Sequence, residues 1–372
     1  MRGILRSALE GVDTGDSRFN SSQTSKPDLS PVPARIVVVG IGGAGNNTIN
    51  RLATIGITGA ELVAVNTEKM HLDTVKEAHK VLIGYEITRG FGSGGSVEIG
   101  RRAVEGAESR FRDIFDGADL IFITCGLGGG TGTGASPVIA RIAKESGALV
   151  IGVVTMPFRV ERKRSEVALE GLRELRENVN SVVIIDNNRL LGLAHGLPIS
   201  YAFSMADEVL ARMVKGITET ITLPSLINLD FADVKAVMNT NGVVMVGVGE
   251  SNAKDRAERV VEQALTCPLL GDIDYSSADG VLMHITGGPN VTISEATQIG
   301  ELVRARVNPN AQVIMGARVD PSLGDTLRAI LLINGARSPH LLGPASDGGV
   351  YASGGPSQTQ ARLPVNLDLD YL

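Results

Sequence analysis

Short, mostly apolar runs alternate along the chain with longer stretches whose apolar positions recur at helical spacing. Residues 34–40, 62–65, 81–83, 120–124, 149–155 and 182–185 are of the first kind, the pattern of strands buried on both faces of a parallel sheet. Between them, residues 46–56, 97–115, 135–146 and a segment opened by the charged run 159–166 read as helices. In the last of these Val167, Leu172, Leu175 and Val179 make one apolar stripe. Repeated strand–loop–helix units predict an α/β fold with a doubly wound, mostly parallel sheet, its loops gathered at the carboxyl ends of the strands.

The second half reads differently. Phe203, Val209, Leu210, Met213, Val214 and Ile217 are spaced as one long central helix over about residues 201–220. A short helix at 234–238 follows, then strands at 242–248, 281–285, 311–316 and 327–333 with helices at 252–266 and 294–306, a smaller α+β domain. The expected organisation is a flexible extension at 1–33, a nucleotide-binding domain at 34–199, the central helix at 200–222, a second domain at 223–336, and a linker and tail at 337–372. The linker is rich in Gly, Ser and Pro. The tail, 363–372, alternates apolar and acidic residues.

Composition narrows the class. Of 372 residues 43% are apolar, enough for substantial cores, and the formal charge of −6 gives no electrostatic footprint for nucleic acid. Trp is absent and aromatics are 3%, so base-stacking platforms are not expected. Cys125 and Cys267 stand far apart in apolar surroundings and read as buried thiols of a reducing compartment. The five histidines show no ligand spacing. The longest apolar run, 148–158, is too short to span a bilayer, and the N-terminus lacks the apolar core of a secretory signal. A cytoplasmic protein is expected.

The chemistry lies in three glycine-rich loops. Residues 126–134 read Gly-Leu-Gly-Gly-Gly-Thr-Gly-Thr-Gly between an apolar strand and a helix, a place where backbone N–H groups meet phosphate at a positive helix end. No Lys follows, so this is not the P-loop pattern, and amides, the helix dipole and a metal ion would have to meet the phosphate charge. Gly40, Gly42 and Gly45 satisfy G-x-G-x-x-G, a weak signal for dinucleotides by itself. The third loop spans 90–96. Convergence of three such loops at one sheet edge argues for phosphate more strongly than any one of them.

Elsewhere the residues leave alternatives open. Phe203 and Asp207, four apart on one helix face, suit a purine stacked on the ring with its N1–H and N2–H₂ donated to the carboxylate, which selects guanine; ordinary core packing and a solvated helix face also account for them. Asp230 and Asp233, with Asn228 before them, either hold a cation and orient water or simply start a helix, where acids at N-cap and N3 are favoured. Glu161, Arg162, Lys163 and Arg164 meet ribose and phosphate or form a charged first turn.

Taken together, these residues resemble the FtsZ branch of the tubulin/FtsZ superfamily, with the archaeal members nearest in wording. Gly126–Gly134 resembles the family's glycine signature. Residues 42–47 resemble its first nucleotide loop and residues 228–234 the loop that enters a neighbouring subunit. The likeness runs from about 34 to 336. It implies a GTPase that polymerises head to tail, forms the cell-division ring, uses GTP/GDP with Mg²⁺ carried on the phosphates rather than on dedicated protein ligands, and completes its active site between subunits. By the same resemblance Gly43, Ala44, Gly45, Asn46 and Asn47 line the base and phosphates. Gly129, Gly130, Thr131, Gly132 and Thr133 cradle the phosphates, and Gly94 and Gly95 approach the γ-phosphate. Glu161 and Arg164 contact the nucleotide near the ribose, and Asn187, Phe203 and Asp207 hold guanine. Asp230, Asp233 and Asn228 act on the neighbour's GTP. The tail at 363–372 stands where the family docks membrane anchors or regulators.

Three stretches depart from the family pattern. Arg162 replaces a Gly and Ser165 takes the place of an Arg, residues 94–97 read Gly-Gly-Ser-Val in place of an Asn-Pro ending, and Asp186 replaces a Pro. Two other readings stand beside the first: a non-dividing or non-hydrolysing cytoskeletal scaffold of the same fold, and a dinucleotide-dependent oxidoreductase. The latter leaves the second glycine run and the acid pair unexplained.

Overall fold

The computed structural model describes residues 34–189, 199–223, 225–240, 242–267, 270 and 274–335, with side chains of the long helix described from residue 205. The extension at 1–33, the linker and tail at 337–372 and the side chain of Phe203 lie outside the described residues.

Ten strands form one sheet in the order β3-β2-β1-β4-β5-β6-β7-β10-β8-β9. They are β1 (Ile36–Ile41), β2 (Ala60–Asn66), β3 (His79–Leu82), β4 (Leu120–Gly126), β5 (Leu149–Met156), β6 (Ser181–Asp186), β7 (Gly242–Ser251), β8 (Gly280–Gly287), β9 (Gln312–Val319) and β10 (Leu327–Asn334). From β3 to β7 all pairs are parallel; β10 runs antiparallel to both β7 and β8, and β8 pairs parallel with β9. The halves join where Ser181–Val183 of β6 pairs with Gly242–Val244 of β7. The fold is thus the expected mostly parallel α/β sheet.

The helices are α1 (Gly42–Ile55), α2 (Lys69–Asp73), α3 (Tyr85–Thr88), α4 (Val97–Glu105), α5 (Glu108–Phe115), α6 (Gly130–Glu145), α7 (Arg162–Asn178), α8 (Ile199–Thr222), α9 (Phe231–Met238), α10 (Arg256–Leu265) and α11 (Ile293–Arg304). Strand alternation sorts the core. Ile36 and Val38 of β1 face Ile49 and Leu52 of α1 and Leu210, Val214 and Ile217 of α8. Val37, Val39 and Ile41 face the opposite layer, where Phe111, Ile139 and Leu172 of α5, α6 and α7 lie. The α8 layer continues under Val244, Leu282 and Ile330 of the second half. There α10 and α11 cover the other face with Val260 and Ile299 against Met283 and Leu331. Among the described residues no helix is long and apolar enough to cross a membrane.

Two helices differ from expectation. The single helix expected at 97–115 is two, broken at Gly106 and Ala107. The Ala107 backbone, at φ −123° and ψ 10°, leaves the helical path and swings Phe111 and Phe115 inward, both fully buried with ring centroids 6.0 Å apart. The helix expected from residue 135 begins at Gly130, so half the glycine signature is helical. Glycine is a poor helix former, but tertiary packing overrides it here: a Cβ on Gly134 would sit 2.0 Å from the Val97 carbonyl oxygen of α4.

Candidate active site

A cleft of about 1120 Å³ opens at the carboxyl ends of β1, β4, β5 and β6, against the starts of α1 and α6 and the loop at 92–95. Ligands in open α/β sheets bind at this edge, at the point where strand order reverses, here between β1 and β4. Most helices with a described N-cap elsewhere in the molecule carry none, but α4, α9 and α11 are capped by Ser96, Asp230 and Thr292. The two helices that point into the cleft have neither a capping side chain nor an acid in the first turn. Their leading N–H groups and positive dipole ends are therefore left to meet an anion.

Gly43, Ala44 and Asn47 line the cleft. Gly45 and Asn46 lie beneath it: Gly45 packs α1 on β4, where a Cβ would be 2.4 Å from the Thr124 carbonyl oxygen, and Asn46 has no exposed surface. Gly94 and Gly95 line it with φ of +60° and +80°, a left-handed path that glycine follows without strain. Gly129, Gly130, Thr131 and Gly132 form the wall opposite. Thr131 Oγ1 lies 2.7 Å from Thr67 Oγ1 and 3.1 Å from Ser93 Oγ, tying three loops together. Thr133 Oγ1 accepts the Gly128 N–H at 2.8 Å and so sets the bend of the signature from behind.

At the other end, Glu161 accepts from Arg164 Nη1 at 2.7 Å and from the Phe158 N–H at 3.2 Å, and both charged residues line the cleft. Arg162 and Ser165, the departures at the start of this helix, do not; Ser165 Oγ donates to the Phe158 and Glu161 carbonyls. Arg164 is thus the cleft's cation on this helix. Asn187 is buried with its Oδ1 lacking a hydrogen-bond partner among the described residues, and it lines the cleft beside Asp207. Burial pushes the Asp207 carboxyl up to about 6, against the opposing pull of the Thr48 hydroxyl and Arg51. The backbone of Phe203 lies one turn earlier on α8.

Sequence reasoning passed over Asn66, Glu68, His71, Ser93, Phe91, Phe158 and Val160, all of which line the cleft. The signal for the first three was the end of the second strand: the carboxyl end of a strand beside the switch point feeds the site.

Asn228, Asp230 and Asp233 are elsewhere. Asp230 caps α9, accepting the Asp233 N–H at 2.7 Å, while Asp233 accepts the Asp230 N–H at 3.4 Å, a capping box. Asn228 Oδ1 accepts from the Ser225 N–H at 2.8 Å. They follow the far end of α8. From Asp207 to Thr222 that helix advances about 22 Å. Thr222 abuts Gly59, just ahead of β2 and so at the amino edge of the sheet. Among the described residues no three His, Cys, Asp or Glu side chains cluster to hold a metal.

Architecture and cleft define a nucleotide-binding α/β protein with an anion-accepting edge. A family model described as the Tubulin/FtsZ family GTPase domain matches residues 35–195, and one described as the FtsZ family C-terminal domain matches residues 242–337. The chain is 55% identical over 346 residues to cell division protein FtsZ 2 of Methanocaldococcus jannaschii, covering 92% of this chain and 90% of that protein. It is 47% identical to FtsZ 2 of Haloferax volcanii over 93% of this chain and 86% of that one. A solved FtsZ dimer from M. jannaschii superposes with a TM-score of 0.79 at 43% identity, covering 89% of this chain and 92% of the other. The chain belongs to the tubulin/FtsZ family, and its GTPase domain implies binding of GTP and GDP.

Proposed function

We propose that this chain hydrolyses GTP only when copies stack head to tail into protofilaments that form the cell-division ring, the cleft of one copy being completed by Asn228, Asp230 and Asp233 of the next. One observation carries this reading: the uncapped anion-accepting cleft lies at one edge of the sheet and the acid pair at the other. No single copy brings them together. Exposed apolar side chains fit such a contact, with Met70, Phe91 and Val160 at 79–87% exposure near the cleft and Leu226 at 55% before the acids.

Within one copy, the α1 and α6 amides and Gly94–Gly95 hold the phosphates, Glu161 and Arg164 the ribose region, and Asn187, Phe203 and Asp207 the guanine. Mg²⁺ takes oxygen ligands and keeps several of its waters, so a cation carried on the phosphates fits a cleft that, among the described lining residues, brings one carboxylate, Glu68, beside Gly92. Bound there, it would supply charge neutralisation for phosphoryl transfer. The acids of the next copy would orient the attacking water. Residues 34–199 and 223–336 would act as the GTP-binding and GTPase-activating domains about the helix 200–222. The tail at 363–372 would recruit a membrane anchor or regulator in the cytoplasm at mid-cell; deleting it is expected to abolish recruitment and spare assembly.

The test is phosphate release against protein concentration. Asp230→Asn and Asp233→Asn suit it better than alanine, because Asn caps a helix as well as Asp at position 230 and at position 233 keeps an oxygen to accept the Asp230 N–H, leaving α9 intact. Per-molecule turnover is expected to rise steeply with concentration in the wild type and to fall at least a hundredfold in both variants, on the order of what a lost charge-stabilising group costs, with GTP binding unchanged. Mixing Asp233→Asn with a variant whose cleft is inactivated is expected to restore part of the activity. Turnover independent of concentration would exclude the proposal.

A further inference from the structure

Four side chains at the floor of the cleft form a hydrogen-bonded chain whose direction is forced. Asn46, fully buried, has one amide orientation that satisfies it: its nitrogen donates to the Gly40, Gly42 and Val65 carbonyls, so its oxygen must accept. The group in reach of that oxygen is Asn66 Nδ2, at 3.0 Å. Asn66, 3% exposed, spends its own oxygen on the Glu68 N–H at 3.1 Å. Its nitrogen therefore has two acceptors, Asn46 Oδ1 and, at 3.3 Å, His71 Nδ1. A ring nitrogen that accepts carries no proton, so neutral His71 must hold its hydrogen on Nε2. That nitrogen lies 3.3 Å from Asn47 Oδ1. Asn47 ends the chain as an exposed residue of the cleft wall beside Asn66 and His71, and with its oxygen engaged it presents its NH₂ to whatever binds.

We infer that His71 is a positioning residue of the nucleotide site, holding the Asn47 amide with its nitrogen toward the ligand so that Asn47 donates to an acceptor oxygen of the phosphate–ribose part of the nucleotide. The inference rests on the reading of the cleft as a GTP site. Neither the glycine loops nor the acid pair assigns His71 a role. Its position beside Gly43, whose Cβ would lie 3.4 Å from the ring Cε1, puts it against the start of α1 where the phosphates are expected. Freed from His71, the Asn47 amide would rotate between two orientations and present a carbonyl oxygen to the ligand part of the time.

The experiment is GDP and GTP affinity of the full chain by titration calorimetry, with melting temperatures as the check on folding. His71→Leu is expected to weaken both nucleotides about five- to tenfold, the worth of one neutral hydrogen bond, and to raise KM with kcat unchanged, since the lost contact serves bound substrate and transition state alike. His71→Gln, which carries a donor and an acceptor of similar reach, is expected to restore affinity to within about twofold. Asn47→Asp, which keeps the acceptor for His71 but turns an oxygen to the ligand, is expected to bind more weakly than Asn47→Ala. In the Asn47→Ala background, His71→Leu should cost nothing further. Equal cost of His71→Leu in both backgrounds, or Asn47→Asp binding as well as wild type, would overturn the relay while leaving the GTP reading intact. A wild-type chain that binds neither nucleotide would overturn both.

Discussion

Gly134→Ala separates two purposes of the glycine signature, because this glycine touches no part of the cleft. An added Cβ would lie 2.0 Å from the Val97 carbonyl oxygen, 2.8 Å from the Arg101 nitrogen and 3.0 Å from the Val97 carbonyl carbon. Ordinary contact is at about 3.5 Å, so α4 would have to retreat by roughly 1.5 Å. All three atoms are backbone, and no side chain can rotate away. Overpacking of this kind costs about 1–3 kcal/mol, and Ala returns up to about 1 kcal/mol through its better helix propensity. With the clash near its worst, the net loss is about 2 kcal/mol, which lowers the melting temperature by roughly 4–8 °C. Because α4 follows directly on Gly94–Gly95, nucleotide affinity is expected to fall as well. Gly106→Ala is the control: its φ is −69° and the nearest atom to a Cβ is 3.9 Å away, so melting should be unchanged or slightly raised. Scanning calorimetry on both variants decides. A Gly134→Ala protein melting at or above wild type would refute the close-packing argument.

Asp207→Asn is expected to lose selectivity for guanine yet to melt higher than wild type without nucleotide above pH 6. The folded carboxyl titrates at about 6, above its ordinary 3.8, so its stabilising contribution is complete below 3.8 and gone once pH has risen through 6. His284 has the opposite sign. Burial, then Arg318 and Arg328, pull the ring down to about 4, and it sits between the hydroxyls of Thr220 and Thr286. Its contribution is present above 6.5 and lost as pH falls through 4, so melting temperature should drop across that window and drop less in His284→Gln. Glu219, 4% exposed on α8, pairs with Arg318 of β9 and with Lys215. Glu219→Ala is expected to cost about 2–3 kcal/mol in urea denaturation, below the full penalty for breaking a buried pair because Arg318 is partly exposed.

Much of the fold was legible because strand and helix periods are local. The apolar runs of β1, β4, β5 and β6 stand within two residues of where their sequence placed them, and the long helix at 201–220 became Ile199–Thr222. Boundaries at glycine were not legible. Gly130–Gly134 reads as loop by propensity, yet it is helical, and the start of α4 lies so close that no Cβ fits at Gly130 or Gly134. Ala107 carries no mark of a break; burial of Phe111 and Phe115 makes it.

By itself the sequence determined the class of sheet, the three glycine loops and their convergence at one edge, and the membership those loops declare, because each depends on residues close together in the chain. Only the tertiary structure decided which residues meet. It sank Gly45 and Asn46 beneath the cleft, raised His71 and Glu68 into it, and set Asp230 and Asp233 at the opposite edge. Those outcomes follow from the length of α8 and from how the ends of separate strands come together, and no local period encodes either.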